Sequence, residues 1–123
     1  MLTHLKEHKT KPVRVVILGS GGFVSGAVET RLRSLEVPVL ALPRKELDLT
    51  SETAGTALAA ILRPDDTLLF VSAKAPVKNE AMLIENLLMA KSVCEAIKKL
   101  DVSHMVYISS DAVYADSDKP MTE

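Results

Sequence analysis

The sequence has few of the residues that mark several large classes of protein. Its one cysteine, Cys94, cannot form an internal disulfide, so nothing in the chain indicates an oxidising compartment. The 15 Lys and Arg residues are balanced by 16 Asp and Glu residues, and this lack of a basic excess argues against a nucleic-acid-binding domain. Tryptophan is absent and aromatic residues make up 3% of the chain, so we expect an aliphatic core.

Long apolar runs are absent as well. No stretch approaches the ~18 apolar residues of a membrane-spanning helix, and the polar, basic start MLTHLKEHKTKP lacks the apolar segment of a signal peptide. We therefore expect a cytoplasmic protein that spans no membrane.

The N-terminal residues carry no core pattern. We interpret residues 1–12 as a flexible tail and residues 13–123 as one domain, for which 123 residues are sufficient. His4 and His8 lie one helical turn apart in this tail. No third ligand lies nearby in sequence, so a solvated tail is favoured over a metal site, and we expect no bound metal.

Short apolar runs alternate with segments of helical periodicity along the domain. The runs at residues 13–18, 39–42, 67–72 and 105–109 predict strands, and residues 22–36, 51–63 and 79–100 predict helices. This alternation predicts an α/β fold, with parallel strands joined by right-handed helical crossovers. We expect a Rossmann-like, doubly wound sheet with strand order 3-2-1-4, truncated before the later strands. One apolar stripe of the long helix should face the core and make Cys94 a packed thiol: Leu83, Leu87, Ala90, Cys94 and Ile97.

The most distinctive segment is the loop GSGGFVSG at residues 19–26, between the first strand and the first helix. The spacing G-x-G-x-x-G fails because Val24 stands at its third glycine. The spacing G-x-x-G-x-x-G fits Gly19 and Gly22, with Ser25 in the third place. A helix N-terminus offers unpaired N–H groups and a favourable dipole to a phosphate, so the loop, including Ser20 and Gly21, predicts a pyrophosphate site. A plain turn between strand and helix is the alternative.

The segment after the second strand, LALPRKELD, bears on the choice of cofactor. It has no carboxylate where an NAD site would hold the ribose 2′-hydroxyl, and Arg44 is placed to accommodate a 2′-phosphate. The segment therefore slightly favours NADP over NAD, and a solvated basic turn is the alternative. Asp48 follows and meets either the adenine edge or the start of the next helix.

Two further segments end strands of the same sheet. Residues 72–76 follow the third strand, and Ser109 and Ser110 follow the fourth. Ligands of such sheets bind beyond the carboxyl ends of the strands, so all four loops should converge. The hydroxyl of Ser110 or of Ser109 could donate a hydrogen bond to a substrate carbonyl, although serines also commonly end strands.

Together these segments resemble the extended short-chain dehydrogenase/reductase family, which includes nucleotide-sugar epimerases, dehydratases and reductases. The resemblance covers Val13 to Glu123, and the ELDLT stretch after a non-acidic second strand is most similar to the dTDP-4-dehydrorhamnose reductase branch. The segments that carry it are GSGGFVSG (19–26), ELDLT (46–50), VSA (71–73), ENLLMAKSVCEA (85–96) and SHMVYISSDAVY (103–114).

The resemblance implies a Rossmann domain that binds NADP or NAD and serves a nucleotide-sugar substrate. It implies one catalytic hydroxyl, Ser110, and a helix asparagine near the active site, Asn86. It implies cofactor contacts from the pyrophosphate loop (Gly19, Gly22 and Ser25, with the apolar pair Phe23 and Val24), from the pair beside adenine (Asp48 and Leu49) and from the third-strand loop (Ser72 and Ala73).

The sequence departs from the family at several positions. Ser25 replaces a glycine, Met89 stands where a small residue is usual, and Ala115 stands where glycine is frequent. The family's catalytic Tyr-x-x-x-Lys pair is missing, because Tyr107 and Tyr114 are followed four positions later by Asp111 and Asp118. That tyrosine supplies the acid–base proton.

These departures lead to three expectations. We interpret the chain as the cofactor-binding part of a longer enzyme, with hydride transfer by these residues alone weak or absent. The alternative is a non-catalytic dinucleotide-binding or regulatory module. A sheet that ends at the fourth strand presents a bare apolar edge, which we expect either to form a homodimer or to be covered by residues 111–123.

Overall fold

The computed structural model describes residues 8–110 of the chain, so the predictions made for His4 and for residues 111–123 lie outside it. The predicted alternation of four strands and three helices is confirmed, with boundaries that agree to within three residues. The elements are β1 (Arg14–Leu18), α1 (Phe23–Ser34), β2 (Val39–Leu42), α2 (Ala54–Ile61), β3 (Asp66–Phe70), α3 (Glu80–Lys99) and β4 (His104–Tyr107).

The helix starts follow different local chemistry. Asn79 precedes α3, and its side-chain oxygen accepts a hydrogen bond from the backbone N–H of Met82 at 3.0 Å. The start of α2 is different. That helix begins after Thr53, whose side chain makes no capping bond, because residues 44–53 form turns first.

The four strands form one parallel sheet in the order β2-β1-β3-β4. The α/β, Rossmann-like fold class is confirmed, whereas the expected order 3-2-1-4 is wrong, because β3 pairs with β1 instead of β2. The chain from β2 to β3 crosses over β1. A right-handed crossover in that direction places its helix on the face of the sheet opposite α1.

Gly55 shows why α2 belongs on that face. A Cβ atom on Gly55 would lie 2.8 Å from the Cβ of Glu95 and 3.0 Å from the backbone oxygen of Ser92. The missing side chain therefore lets α2 pack closely against α3, and Leu58 of α2 is fully buried in the same cluster. Right-handed crossovers are possible in both the expected order 3-2-1-4 and the observed order β2-β1-β3-β4. The contact between α2 and α3 is therefore what distinguishes the two orders.

The core lies on both faces of the sheet. On one face, residues of β1 and β3 pack against α2 and α3, with Val16, Leu68 and Val93 among the buried members. On the other face, Val15 and Ile17 of β1 form a smaller cluster with α1. Burial of β1 on both faces explains its nearly continuous apolar sequence.

The predicted core stripe of α3 is wrong in part. Leu83, Leu87 and Cys94 are exposed, whereas Ala90 and Ile97 do pack against the core. The buried residues of α3 are Met89, Ser92, Val93 and Ala96. Apolar residues occupy much of the circumference of this helix, so spacing alone did not identify the side that α2 covers. Cys94 is therefore not a packed core thiol.

The outer side of β4 is exposed in the part of the chain that the structure describes. Met105, Val106 and Tyr107 are 37%, 36% and 59% exposed, and no fifth strand pairs with β4 within residues 8–110. No helix in the same range is long and apolar enough to cross a bilayer.

A homodimer through this edge stays a prediction. We expect sedimentation velocity to show a monomer–dimer equilibrium that Val106→Lys shifts to monomer, because a charge on an edge strand opposes strand addition. Val77→Lys, at an exposed loop residue, is the control and should leave the equilibrium unchanged. A monomer at all concentrations would contradict the prediction.

Candidate functional site

A cavity of about 660 Å³ lies beyond the carboxyl ends of β1, β2 and β3. From β1 the chain continues into α1 on one face of the sheet, and from β3 it continues into α3 on the other. The neighbouring strands β1 and β3 therefore diverge here, and such a switch point is where open α/β sheets bind ligands. The expected convergence of loops is found for β1, β2 and β3.

Eleven of the residues predicted to contact a cofactor line this cavity: Gly19, Ser20, Gly22, Phe23, Val24, Ser25, Arg44, Asp48, Leu49, Ser72 and Ala73. Gly21 and Ser110 are not among its lining residues. Leu49 is 4% exposed and belongs largely to the core.

Gly19 and Gly21 shape the loop after β1. Both have positive φ angles, +89° and +98°, which residues with a side chain rarely adopt. A Cβ atom on Gly19 would lie 2.8 Å from both the backbone nitrogen and the Cα of Ser72. Gly19 therefore allows the loop after β1 to touch the loop after β3, and the space beside it is already filled by protein.

Ser25 stands in the third position of the glycine pattern and is 1% exposed. Its Oγ accepts a hydrogen bond from the backbone N–H of Gly22 at 3.0 Å and lies 3.3 Å from the oxygen of Gly22, to which it donates. The hydroxyl is thus paired within the loop. Within residues 8–110, the backbone N–H groups of Phe23 and Val24 make no hydrogen bond, so both are available to an anion at the start of α1.

The loop between β2 and α2 brings a charged cluster to the cavity. Arg44 Nε donates to Asp48 Oδ2 at 3.3 Å, and Asp48 Oδ1 accepts from the hydroxyl and the backbone N–H of Thr50 at 2.6 and 3.0 Å. These two bonds from Thr50, with a smaller contribution from Arg44, hold the pKa of Asp48 below its ordinary value. Arg44 and Asp48 were predicted as site residues from the sequence, whereas Thr50 was not.

A second ion pair lies at the β3 side of the cavity. Lys74 Nζ is 3.4 Å from Glu85 Oε2, and both residues line the cavity. This pair was not predicted from the sequence, although Lys74 directly follows the VSA segment assigned to the cofactor. Asn86 lies beside it, where its side-chain oxygen accepts from Lys74 N at 2.7 Å and its amide donates to Lys74 O at 3.1 Å. Asn86 thus fixes the main chain of the loop after β3.

The remaining predicted residues lie elsewhere. Ser110 is exposed after β4 and has an interaction partner of its own. His8 is exposed near the start of the described chain. Among the residues that the structure describes, no three His, Cys, Asp or Glu side chains come together as a metal site would require.

Two solved structures of similar fold are a synthetase and a reductase named for GDP-linked sugars. A GDP-L-fucose synthetase from Naegleria fowleri bound to NADP has a TM-score of 0.80 and 18% identity over 99% of this chain. A GDP-mannoheptose C4 reductase from Campylobacter jejuni with NADP bound has a TM-score of 0.77 and 19% identity over 94% of this chain. The chain spans 40% of the first protein and 36% of the second. At such identities the likeness shows a shared fold.

No curated protein matches the sequence significantly. The profile of the NAD dependent epimerase/dehydratase family matches residues 15–123, which includes every strand and helix of the described fold except the first residue of β1. The chain therefore belongs to the NAD dependent epimerase/dehydratase family.

Proposed function

We propose that this chain is the cofactor-binding part of an NADP-dependent enzyme that oxidises, reduces, epimerises or dehydrates a nucleotide-linked sugar. The observation that carries the proposal is a cavity in which the glycine loop, the unpaired N–H groups at the start of α1 and the guanidinium of Arg44 meet. A pyrophosphate needs the first two features, and a 2′-phosphate needs a cation at the end of β2.

These residues suggest one orientation for a bound dinucleotide, with its adenine half towards β2 and its nicotinamide half towards β3. The N–H groups of Phe23 and Val24 would hold the pyrophosphate, Arg44 would hold the 2′-phosphate and Asp48 would face the adenine. Ser72 and Ala73, beyond β3, would flank the other half of the cofactor. The bound nicotinamide supplies hydride transfer to or from a sugar carbon.

Two findings support the choice of substrate class and cofactor. The family is one of NAD-dependent epimerases and dehydratases, and two of the proteins that share the fold are a synthetase and a reductase named for GDP-linked sugars, each with NADP bound. The chain spans 40% of the first solved structure, so the enzymatic activity is proposed for the complete protein. In that protein, Ser110 would polarise a substrate carbonyl or hydroxyl.

A non-catalytic dinucleotide-binding module is the second candidate. Neither of the two tyrosines in the 123 residues is followed four positions later by lysine, so these residues do not themselves hold the acid–base pair of the family. Sequencing the gene beyond the codon for Glu123 separates the two candidates. A Tyr-x-x-x-Lys pair encoded downstream supports the enzyme, and a stop codon there supports the module.

Replacing Arg44 tests the cofactor preference. We expect Arg44→Gln to weaken NADPH binding about tenfold to a hundredfold, because a hydrogen bond between charged groups contributes about 1.5–3 kcal/mol. NADH affinity should change much less, because NADH has no 2′-phosphate. Isothermal titration calorimetry of both cofactors measures the two losses.

Arg31→Gln is the matched control, since Arg31 lies exposed on α1 and outside the cavity. It should leave both affinities unchanged. Equal losses for NADPH and NADH in Arg44→Gln would contradict the assignment of Arg44 to a 2′-phosphate, and a complete protein that binds neither cofactor would contradict the proposed function.

A further inference from the structure

Three side chains of the loop between β2 and α2 form a continuous chain of hydrogen bonds. The hydroxyl of Thr50 donates to Asp48 Oδ1 at 2.6 Å, and the backbone N–H of Thr50 donates to the same oxygen at 3.0 Å. The other carboxylate oxygen, Asp48 Oδ2, accepts from Arg44 Nε at 3.3 Å. All three residues line the cavity, so this chain of bonds runs along the cavity wall.

The hydrogen bond between Arg44 and Asp48 leaves the two terminal nitrogens of the guanidinium available to a ligand. Only Nε is used by Asp48, and within residues 8–110 Nη1 and Nη2 of Arg44 make no hydrogen bond. A guanidinium binds a phosphate through two parallel N–H groups in a fixed fork. Asp48 therefore holds the arginine at Nε, and the two outer nitrogens stay available to an anion in the cavity that Arg44 lines.

Asp48 needs an anchor of its own to do this. Its side chain is 42% exposed and that of Arg44 is 62% exposed, and an exposed ion pair alone holds two flexible side chains poorly. The two donors from Thr50 fix the carboxylate in place and keep it ionised. They also keep its negative charge directed at Arg44, so that it does not rotate towards an incoming phosphate.

We propose that Thr50 is a positioning residue that sets the preference of this site for a 2′-phosphorylated nucleotide, acting through Asp48 on Arg44. The proposal rests on the proposed binding of NADP. It assigns the preference to a threonine that touches no phosphate itself, and it goes beyond the role of Arg44 as the phosphate contact.

The test uses two ligands that differ only in the 2′-phosphate, namely adenosine 2′,5′-bisphosphate and adenosine 5′-monophosphate. Their affinities for the 123-residue chain are measured by isothermal titration calorimetry for the wild type, Thr50→Val and Thr50→Ser. Thr50→Val keeps the shape and removes the donor. We expect it to reduce the preference for the bisphosphate about threefold to tenfold, the usual effect of one hydrogen bond, with a smaller loss of monophosphate affinity, because Asp48 also faces the adenine.

Thr50→Ser restores the hydroxyl and should restore the preference. In an Arg44→Gln background, Thr50→Val should have no further effect on the preference, because the residue it acts through is gone. Thr50→Ala is the second variant should the valine disturb folding, which a thermal melt reports. It removes the same donor and should lower the preference equally.

Three results would overturn the proposal: an unchanged preference in Thr50→Val, equal losses for both ligands, or a full effect in the Arg44→Gln background. Failure of the proposed function has a different signature. In that case the wild-type chain binds neither NADPH nor the bisphosphate.

Discussion

Asp66→Ala should lower the free energy of unfolding by about 3–5 kcal/mol, the usual cost of removing one partner of a buried ion pair. The carboxylate is fully buried at the start of β3, where it accepts from Arg14 Nε at 2.7 Å and from Arg14 Nη2 at 2.6 Å. It also accepts from the backbone N–H of Arg63 at 2.7 Å. Without Asp66, the largely buried Arg14 keeps one hydrogen-bond partner among residues 8–110, the backbone oxygen of Ile61 at 3.1 Å.

Urea denaturation followed by circular dichroism measures this loss. A domain of this size has about 5–15 kcal/mol of stability, and Asp66→Asn keeps the shape if the alanine variant is too unstable to purify. The matched control is the exposed pair of Arg33 and Glu29 on α1, 2.7 Å apart. Glu29→Gln should cost no more than about 0.5 kcal/mol. Similar losses of unfolding free energy in the Asp66 and Glu29 variants would show that the buried ion pair stabilises the fold no more than the exposed one.

Asp66 also makes the stability depend on pH. Burial alone would raise the pKa of Asp66, but the hydrogen bonds from Arg14 and from the N–H of Arg63 hold that pKa below its ordinary value. A carboxyl group with a lowered folded pKa contributes its stability in full above the unfolded pKa, about 3.9, and loses it as the pH falls through the folded pKa. Unfolding free energies should therefore fall below about pH 4, and less steeply in Asp66→Asn than in the wild type.

Gly19→Ala should cost about 2–5 kcal/mol of unfolding free energy, the sum of a side chain at positive φ and an overpacked contact. The new Cβ would lie 2.8 Å from the backbone of Ser72, so the loops after β1 and β3 would have to separate. Because both loops line the cavity, we expect NADPH affinity to fall at least about tenfold. Thermal melts and calorimetry measure the two effects.

Two other glycines of the segment 19–26 distinguish the cost of a positive φ angle from the cost of a crowded contact. Gly21 shares the positive φ of Gly19, but a Cβ atom added to Gly21 would meet nothing within 4 Å, so Gly21→Ala should cost about 1–2 kcal/mol. Gly26 lies inside α1 with open space around it, and Gly26→Ala should stabilise the chain by up to about 1 kcal/mol. If Gly19→Ala lowered the unfolding free energy no more than Gly21→Ala does, the close contact with Ser72 would add nothing to the cost of the positive φ angle.

The elements of the fold could be predicted from the sequence because each depends on a local pattern. Val15 to Leu18 form an unbroken apolar run, and a strand buried on both faces needs such a run. The strand order and the buried side of α3 could not be predicted, because both depend on the packing of α2 against α3 around Gly55. Residues far apart in sequence determine that contact, and no periodicity reports it.

In the candidate site, too, some residues could be predicted from the sequence and others could not. The glycine loop, Arg44 and Ser72 were identified because parallel strands bring their carboxyl ends to one edge. The bonds from Thr50 to Asp48, and from Asn86 to the main chain at Lys74, were not identified. Such bonds depend on side-chain geometry across loops, which residue types and spacing do not specify.

The contact between Gly19 and Ser72 also limits how this sequence can change. Shortening Ser72 to glycine would remove its hydroxyl, which lies 2.5 Å from the position of a Cβ on Gly19, but its backbone nitrogen and Cα would stay at 2.8 Å. The obstacle is main chain, and no substitution at position 72 removes main chain. A mutation that adds a side chain at position 19 therefore has no compensating substitution at position 72. Another residue at position 19 requires changes that move the main chain of the loop after β1 or of the loop after β3.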